Sequence, residues 1–303
     1  KSFVHRYYYR VSNNNIITFF AADQNDLRSQ HILGFIYEEG KFIARDIKKA
    51  VHYFTLAANQ NDPQSQFRLG LIYYQNKYVS RDINKSIHYF TLAANQNHIK
   101  SQFNLGFIYS KGYYNTRDIK KAIHFYQLAA NQNDTNSQLN LGIIYSSDQY
   151  KEIDIDKAIY YLNLAAYQND KNAQFNLGLL YYQNQHCKFD INKSIHYFSL
   201  AAKNNHPKAN YILGIIYDIG KYVTRDINKA IQLYSKAASL NNPQAQCILG
   251  IYYYEGKYIQ QNFKKGIDLL YQSSINRCIS SYFILGSLNH EGKNIKRDIK
   301  KAI

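Results

Sequence analysis

Along this chain, small and apolar residues fall at three- and four-residue steps, and the whole pattern returns every 36 residues. In one segment a small residue (Ser29, Ser65 or Ala173), a leucine-glycine pair and a tyrosine stand at relative positions 0, 4, 5 and 8, which is one face of a helix. In the next segment Ile47, Ala50, Tyr53, Phe54 and Ala57 keep the same spacing, from Asp46 to about Asn59. The pattern predicts two helices per unit, A and B, and a chain built by repeating that pair.

The register does not slip. The Leu-Gly glycine recurs at Gly34, Gly70, Gly106, Gly142, Gly178, Gly214, Gly250 and Gly286. Three residues later comes a tyrosine, from Tyr37 to Tyr253, with Asn289 the exception. Asp-Ile-x-Lys-Ala begins at Asp46 and returns with the same period, Asn262 replacing the aspartate once. The pair Ala57-Ala58 becomes Ser273-Ser274 in the unit that also carries Asn262 and Gly266, and that unit is expected to be the least stable. A glycine inside a helix costs about 1 kcal/mol against alanine. Its recurrence in helix A predicts that helix B passes close over that spot.

Turn residues set the boundaries. Asp26, Asp62, Asp134, Asp170 and Asn242 are N-cap candidates for helix A, and Pro63, Pro207 and Pro243 follow where a first-turn proline is tolerated. Six residues past each Leu-Gly glycine stands Gly40, Asn76, Gly112, Asp148, Asn184, Gly220, Gly256 or Gly292. These residue types tolerate the left-handed conformation that ends a helix.

Leu-Gly-x-x-Tyr, a glycine-containing turn, Asp-x-x-Lys-Ala, an aromatic pair and Ala-Ala together resemble the Sel-1-like repeat family, a relative of the tetratricopeptide repeat. The likeness runs from about Asn13 to Ile303. The expected fold is all-α, a right-handed α-solenoid of antiparallel helix pairs. Residues 1–10 are expected to be an irregular extension and 11–303 a single array: a lone helix B at 11–25, seven complete pairs over 26–278 and a truncated repeat at 279–303. Neither end reads as a polar capping repeat and there is no initiator methionine, so the sequence is read as a fragment of a longer protein.

Composition changes this picture little. No apolar run is long enough to span a membrane. The abundance of Tyr, Asn, Ile and Lys is what an AT-rich genome would produce. Cys187, Cys247 and Cys278 suit neither a metal site nor a disulfide ladder, and some secreted bacterial members of the family carry a cysteine pair in every repeat; a reducing, cytoplasmic location is expected. His52, His88, His124 and His196 recur on helix B. Successive repeats stack roughly 10 Å apart, too far for two of them to share an ion with ligand bonds of about 2 Å. No phosphate-cradling loop, Ser-x-x-Lys or acid-base-nucleophile set is present. No enzyme activity, metal or cofactor is expected.

What remains is surface. The resemblance places the outward side of helix A on the concave face of a superhelix. Residues six before, two before and five after each Leu-Gly glycine share that side. The residues expected to meet a partner are Arg28, Gln64, Arg68, Lys100, Asn104, Lys111, Asn140, Asn176 and Lys208. Asn104, Asn140 and Asn176 could clamp the backbone of an extended peptide through donor and acceptor, or could simply be solvated; Ile212, Ile219 and Ile248 would make an apolar end to the column. A second ladder is basic, Lys49 and its repeats, in a chain with 37 basic and 21 acidic residues and a net charge of +16. The expected function is a non-catalytic scaffold for a protein partner, such as an acidic or extended segment, within a larger signalling or quality-control protein. Electrostatic binding of RNA or acidic surfaces is the alternative.

Overall fold

One aspartate closes helix B and opens the next helix A. Asp62 N–H donates to Ala57 O and Asn61 N–H to Ala58 O, the two bonds of a Schellman ending, while the Asp62 carboxylate accepts from Ser65 N at 2.7 Å. The computed structural model describes residues 22, 24–41, 43–75, 80–112, 116–151, 153–183 and 189–291. Helices A are α1 (Leu27–Glu39), α3 (Pro63–Tyr74), α5 (Ile99–Lys111), α7 (Thr135–Ser146), α9 (Lys171–Gln183), α11 (Pro207–Ile219), α13 (Pro243–Glu255) and α15 (Ile279–Glu291). Helices B are α2 (Ile47–Asn59), α4 (Ile83–Ala94), α6 (Ile119–Ala130), α8 (Ile155–Tyr167), α10 (Ile191–Lys203), α12 (Ile227–Ser239) and α14 (Phe263–Ile275). The fold is all-α, tandem helix pairs at the expected period, with no strand among the described residues. It forms two compact units that part between Asn140 and Leu141, inside α7. The extension at 1–10, most of the expected helix at 11–25, the end of the truncated repeat beyond 291, and Asn76, Asn184, Cys187, Gly292 and Lys301 lie outside the described residues.

Caps follow the sequence with instructive exceptions. Asp46, Asp82, Asp118, Asp154, Asp190, Asp226 and Asn262 each accept from the amide of the motif lysine three residues on, at 2.9–3.0 Å. Gly40, Gly112, Gly220 and Gly256 end their helices at φ 68° to 71°. Asp148 does not: α7 stops at Ser146, a 3-10 turn covers Asp148–Tyr150, and Lys151 takes the left-handed conformation instead. His98 and His206 fill the N-cap place in α5 and α11, where Nδ1 accepts from Ser101 N at 3.3 Å and Ala209 N at 3.1 Å. Each B-to-A turn puts one residue at φ 57° to 69°: Asn25, Asn61, Asn97, Asn133, Asn169, Asn205 and Asn241, then Arg277. Asparagine tolerates that conformation better than other L-residues, so part of the asparagine content has a structural cause.

The helix A glycine has the expected cause. A Cβ on Gly34 would meet the Phe54 ring at 2.5 Å, and Phe90, Tyr126, Leu162, Phe198 and Tyr234 lie as close over Gly70, Gly106, Gly142, Gly178 and Gly214. These side chains are at most 1% exposed and form the core of each pair. The atypical pair α13–α14 compensates its substitutions. Gly266 lets the two backbones approach until its Cβ would lie 2.8 Å from Gly250 O, and Ser273 Oγ donates to Pro243 O at 2.7 Å.

Consecutive pairs are joined by a buried glutamine that the pattern did not single out. Gln102 donates through Nε2 to Ala94 O at 3.2 Å and accepts at Oε1 from Gln132 Nε2 at 2.8 Å. The same bonds recur at Gln30, Gln66, Gln174 and Gln246. Where the outer residue is Leu240, the inner one is Asn210, which donates to His206 O at 3.0 Å and more weakly, at 3.5 Å, to Ala202 O. Gln102 is 0% exposed. Gln102→Leu removes both bonds, although Ala94 O keeps Asn97 N–H and the exposed Gln132 keeps Leu128 O and water; it is expected to destabilise the first unit by about 1 kcal/mol in urea unfolding, and an unchanged midpoint would contradict the network.

Candidate functional site

The motif residues are occupied within the repeat. The ammonium of Lys49, Lys85, Lys121, Lys157 and Lys193 lies 5.0–5.4 Å from the ring centres of Tyr37, Tyr73, Tyr109, Tyr145 and Tyr181, and Lys229 and Lys265 lie 3.8 and 4.1 Å from Tyr217 and Tyr253. Tyr37, Tyr73, Tyr109, Tyr145 and Tyr181 also stack, within 9° of parallel, on Tyr53, Tyr89, Phe125, Tyr161 and Tyr197. Lys85, Lys121, Lys157 and Lys193 pair with the capping aspartate three residues back. At the exposure of these side chains such pairs contribute little. The recurring histidines are exposed, and each sits edge-on to the ring that follows it.

The outward residues of helix A divide between the two units. Arg28, Gln64, Arg68, Lys100, Asn104, Lys111 and Asn140 belong to the first, Asn176 and Lys208 to the second. In the first unit α1 touches α3 and α3 touches α5, so their outward sides adjoin. Arg28, Gln64, Lys100, Lys111 and Lys208 are exposed; Arg68, Asn104, Asn140 and Asn176 are half-buried. Arg68 crosses to the preceding helix A, 3.5 Å from Glu38 Oε2 and 5.1 Å from the Phe35 ring centre. Burial pushes the Glu38 carboxyl up, against the pull of Arg68. Lys111 leans over Phe107 at 5.8 Å. Asn104 and Asn140 turn their amide nitrogens onto Lys100 O and Asn136 O of their own helices, both at 2.7 Å. Each of these amides thereby uses one of its two N–H groups within its own helix, leaving the other N–H and the side-chain carbonyl for a partner.

Two clusters escaped the sequence reading. In the second unit Asp218 Oδ2 accepts from the hydroxyls of Tyr252 and Tyr234, Oδ1 lies 3.5 Å from Arg225, and Arg225 donates to Tyr258 OH at 3.0 Å. Burial raises the Tyr234 and Tyr252 phenols; the Arg225 bond lowers Tyr258. The signal was present, since Tyr234 and Asp218 depart together from the Phe54 and Glu38 positions of the repeat. In the first unit His31 Nδ1 lies 2.9 Å from Ser65 Oγ and 3.1 Å from Asp62 Oδ2. A nucleophile relay needs serine and aspartate on different ring nitrogens, and here one nitrogen meets both. Ser65 is also 0% exposed. Among the described residues no group of three or more His, Cys, Asp or Glu could hold a metal ion, and no helix is long and apolar enough to cross a membrane.

Tandem helix pairs whose recurring side chains serve packing, with polar residues on the outer side of helices A in the first unit and Ile212, Ile219 and Ile248 there in the second, define a repeat scaffold. The chain belongs to the Sel1 repeat family, whose model matches residues 27–62, 63–98, 99–134, 135–170, 171–206, 207–242, 243–275 and 279–303. It is similar in structure to a Sel1 repeat protein from Oxalobacter formigenes, with TM-score 0.84 and 27% identity over 94% of this chain and 83% of that one. It is also similar to a protective antigen of uropathogenic Escherichia coli with an SLR fold, with TM-score 0.73 and 25% identity over 94% and 69% of the two chains. No curated protein matches the sequence significantly. The family is generally a non-catalytic protein-protein interaction scaffold, and its repeats typically bind proteins.

Proposed function

We propose that this chain is a cytoplasmic scaffold that binds an acidic or extended peptide segment of a protein partner along the outward side of helices A, as the interaction module of a larger signalling or quality-control protein. One observation carries the reading. The motif lysines, tyrosines and aspartates are spent on one another, whereas Arg28, Gln64 and Lys100 project exposed from helices A of the first unit, and Lys111 leans over Phe107 of its own helix. Lysines and arginines on that side suit an acidic segment.

The net charge of +16 favours RNA as a second reading. Against it, Tyr37, Tyr73, Tyr109, Tyr145 and Tyr181 are each stacked on a neighbouring ring and approached by a lysine, which leaves them little face for a base. Capture from the source cell, with the intact chain set beside a variant carrying Asn104→Ala, Asn140→Ala and Asn176→Ala, separates the two. The scaffold reading expects protein partners that are retained at physiological salt and lost in the variant. Recovery by both baits of RNA or acidic proteins, all released by moderate salt, would sink it.

A further inference from the structure

In this repeat a residue near the start of helix A meets the residue 31 positions later, the N-cap of the next helix A. His31 reaches Asp62 at 3.1 Å, Phe67 packs on His98 with ring centres 4.8 Å apart, and Phe175 packs on His206 at 4.3 Å. Cys247 and Cys278 occupy these two positions in the second unit. They are 5% and 8% exposed and share one core cluster with Leu270, Leu285 and Leu288. What reads in sequence as irregular spacing is the period less five.

We infer that Cys247 and Cys278 form a thiol–disulfide pair that, by exchange with a low-molecular-weight disulfide, bonds α13 to the entry of α15. The two thiols are unequal. Cys278 stands at the N-terminus of α15, which favours a thiolate; burial raises its pKa, but hydrogen bonds with Ser273 and Ser281 bring it below the ordinary value. Burial pushes Cys247 up. Arg277, just before Cys278, is exposed and holds φ 66° where the other turns have asparagine. That conformation is costly for arginine, which makes this turn the easiest to open.

The Cys278 thiolate attacks the S–S bond of the oxidant, expelling one thiol and leaving a mixed disulfide. Cys247 gives up its proton and attacks the Cys278 sulfur, displacing the second thiol. The two protein thiols are oxidised to one disulfide and the oxidant is reduced to two thiols, so electrons and protons balance. The bond would fix the start of α15, where the thiol replaces the carboxylate or imidazole that caps most other helices A.

The test incubates the full chain with oxidised glutathione, quenches with iodoacetamide and maps the peptides by mass spectrometry, in native buffer and in urea. The expected product is a Cys247–Cys278 cross-link two hydrogens lighter than the thiols, with Cys187 alkylated, and native packing of the pair should raise the equilibrium ratio of cross-link to mixed disulfide roughly tenfold over that in urea. Cys247→Ser should stop at a glutathione adduct on Cys278. Alkylation of both thiols in the native chain, cross-linking through Cys187, a ratio of cross-link to mixed disulfide no higher in native buffer than in urea, or no adduct on Cys278 in the variant would overturn the inference.

Discussion

Gly106→Ala is expected to destabilise the first unit by about 1–3 kcal/mol in urea unfolding, the overpacking range, although helix propensity alone would stabilise it by about 1 kcal/mol. The sign is decided by Tyr126. A Cβ at position 106 would lie 2.6–2.8 Å from Cδ1, Cε1 and Cγ of that ring. The ring is 0% exposed and its hydroxyl lies 3.3 Å from Ser110 Oγ, so it cannot retreat. Repulsion against a locked ring outweighs the backbone entropy that alanine saves. Tyr126→Ala should itself cost about 3–5 kcal/mol, and in that background Gly106→Ala should turn neutral or stabilising. A stabilised single variant would show that helix B does not pass over the glycine as described.

Mild acid is expected to weaken the second unit through His206. Its ring is 7% exposed, stacked on Phe175, and accepts from Ala209 N, so the folded state holds it neutral. Burial, helped by Lys171 and Lys208, lowers its pKa from 6.5 to about 4. Because the folded value is the depressed one, the unfolded chain binds the proton first. The contribution is complete above pH 6.5 and is lost as the pH falls towards about 4. At 1.36 kcal/mol per pKa unit the loss is roughly 3 kcal/mol. Protonation also removes the cap lone pair and sets a positive charge at a helix N-terminus. His98 is shifted the same way, with burial the larger cause and Lys100 the lesser. The capping carboxylates Asp26, Asp62, Asp118 and Asp154 are lowered from 3.8, so they titrate below this window. His206→Asn keeps a cap of the kind Asn242 provides, and should flatten the dependence of stability on pH between 4 and 6.5. A slope as steep as in the parent would place the acid sensitivity elsewhere.

What could be read from the residues was whatever repeats in type as well as in place. Leu-Gly, the aspartate caps and the glycine turns each carry their own physical signature, and the helices fall where those residues put them. His98 and His206 were missed as caps because imidazole is not a preferred cap type, and burial, helped by nearby lysines, is what holds these two neutral in the folded state. The asparagines at Asn25 and its repeats looked like composition until their positive φ showed a turn requirement. Gln102 escaped because one glutamine in a polar-rich chain gives no sign of which carbonyl it will find. Cys247 and Cys278 show the same limit: contact 31 residues apart follows from how one repeat stacks on the next, which spacing within a repeat does not reveal.

The scaffold reading is tested most directly by amide hydrogen exchange on the chain with and without a captured acidic partner. Protection concentrated on α3 and α5 around Gln64, Arg68, Lys100 and Lys111, persisting when salt is raised to moderate levels, is the predicted result. Protection confined to the lysine-bearing starts of helices B, vanishing with salt, would contradict it and leave charge alone as the basis of binding.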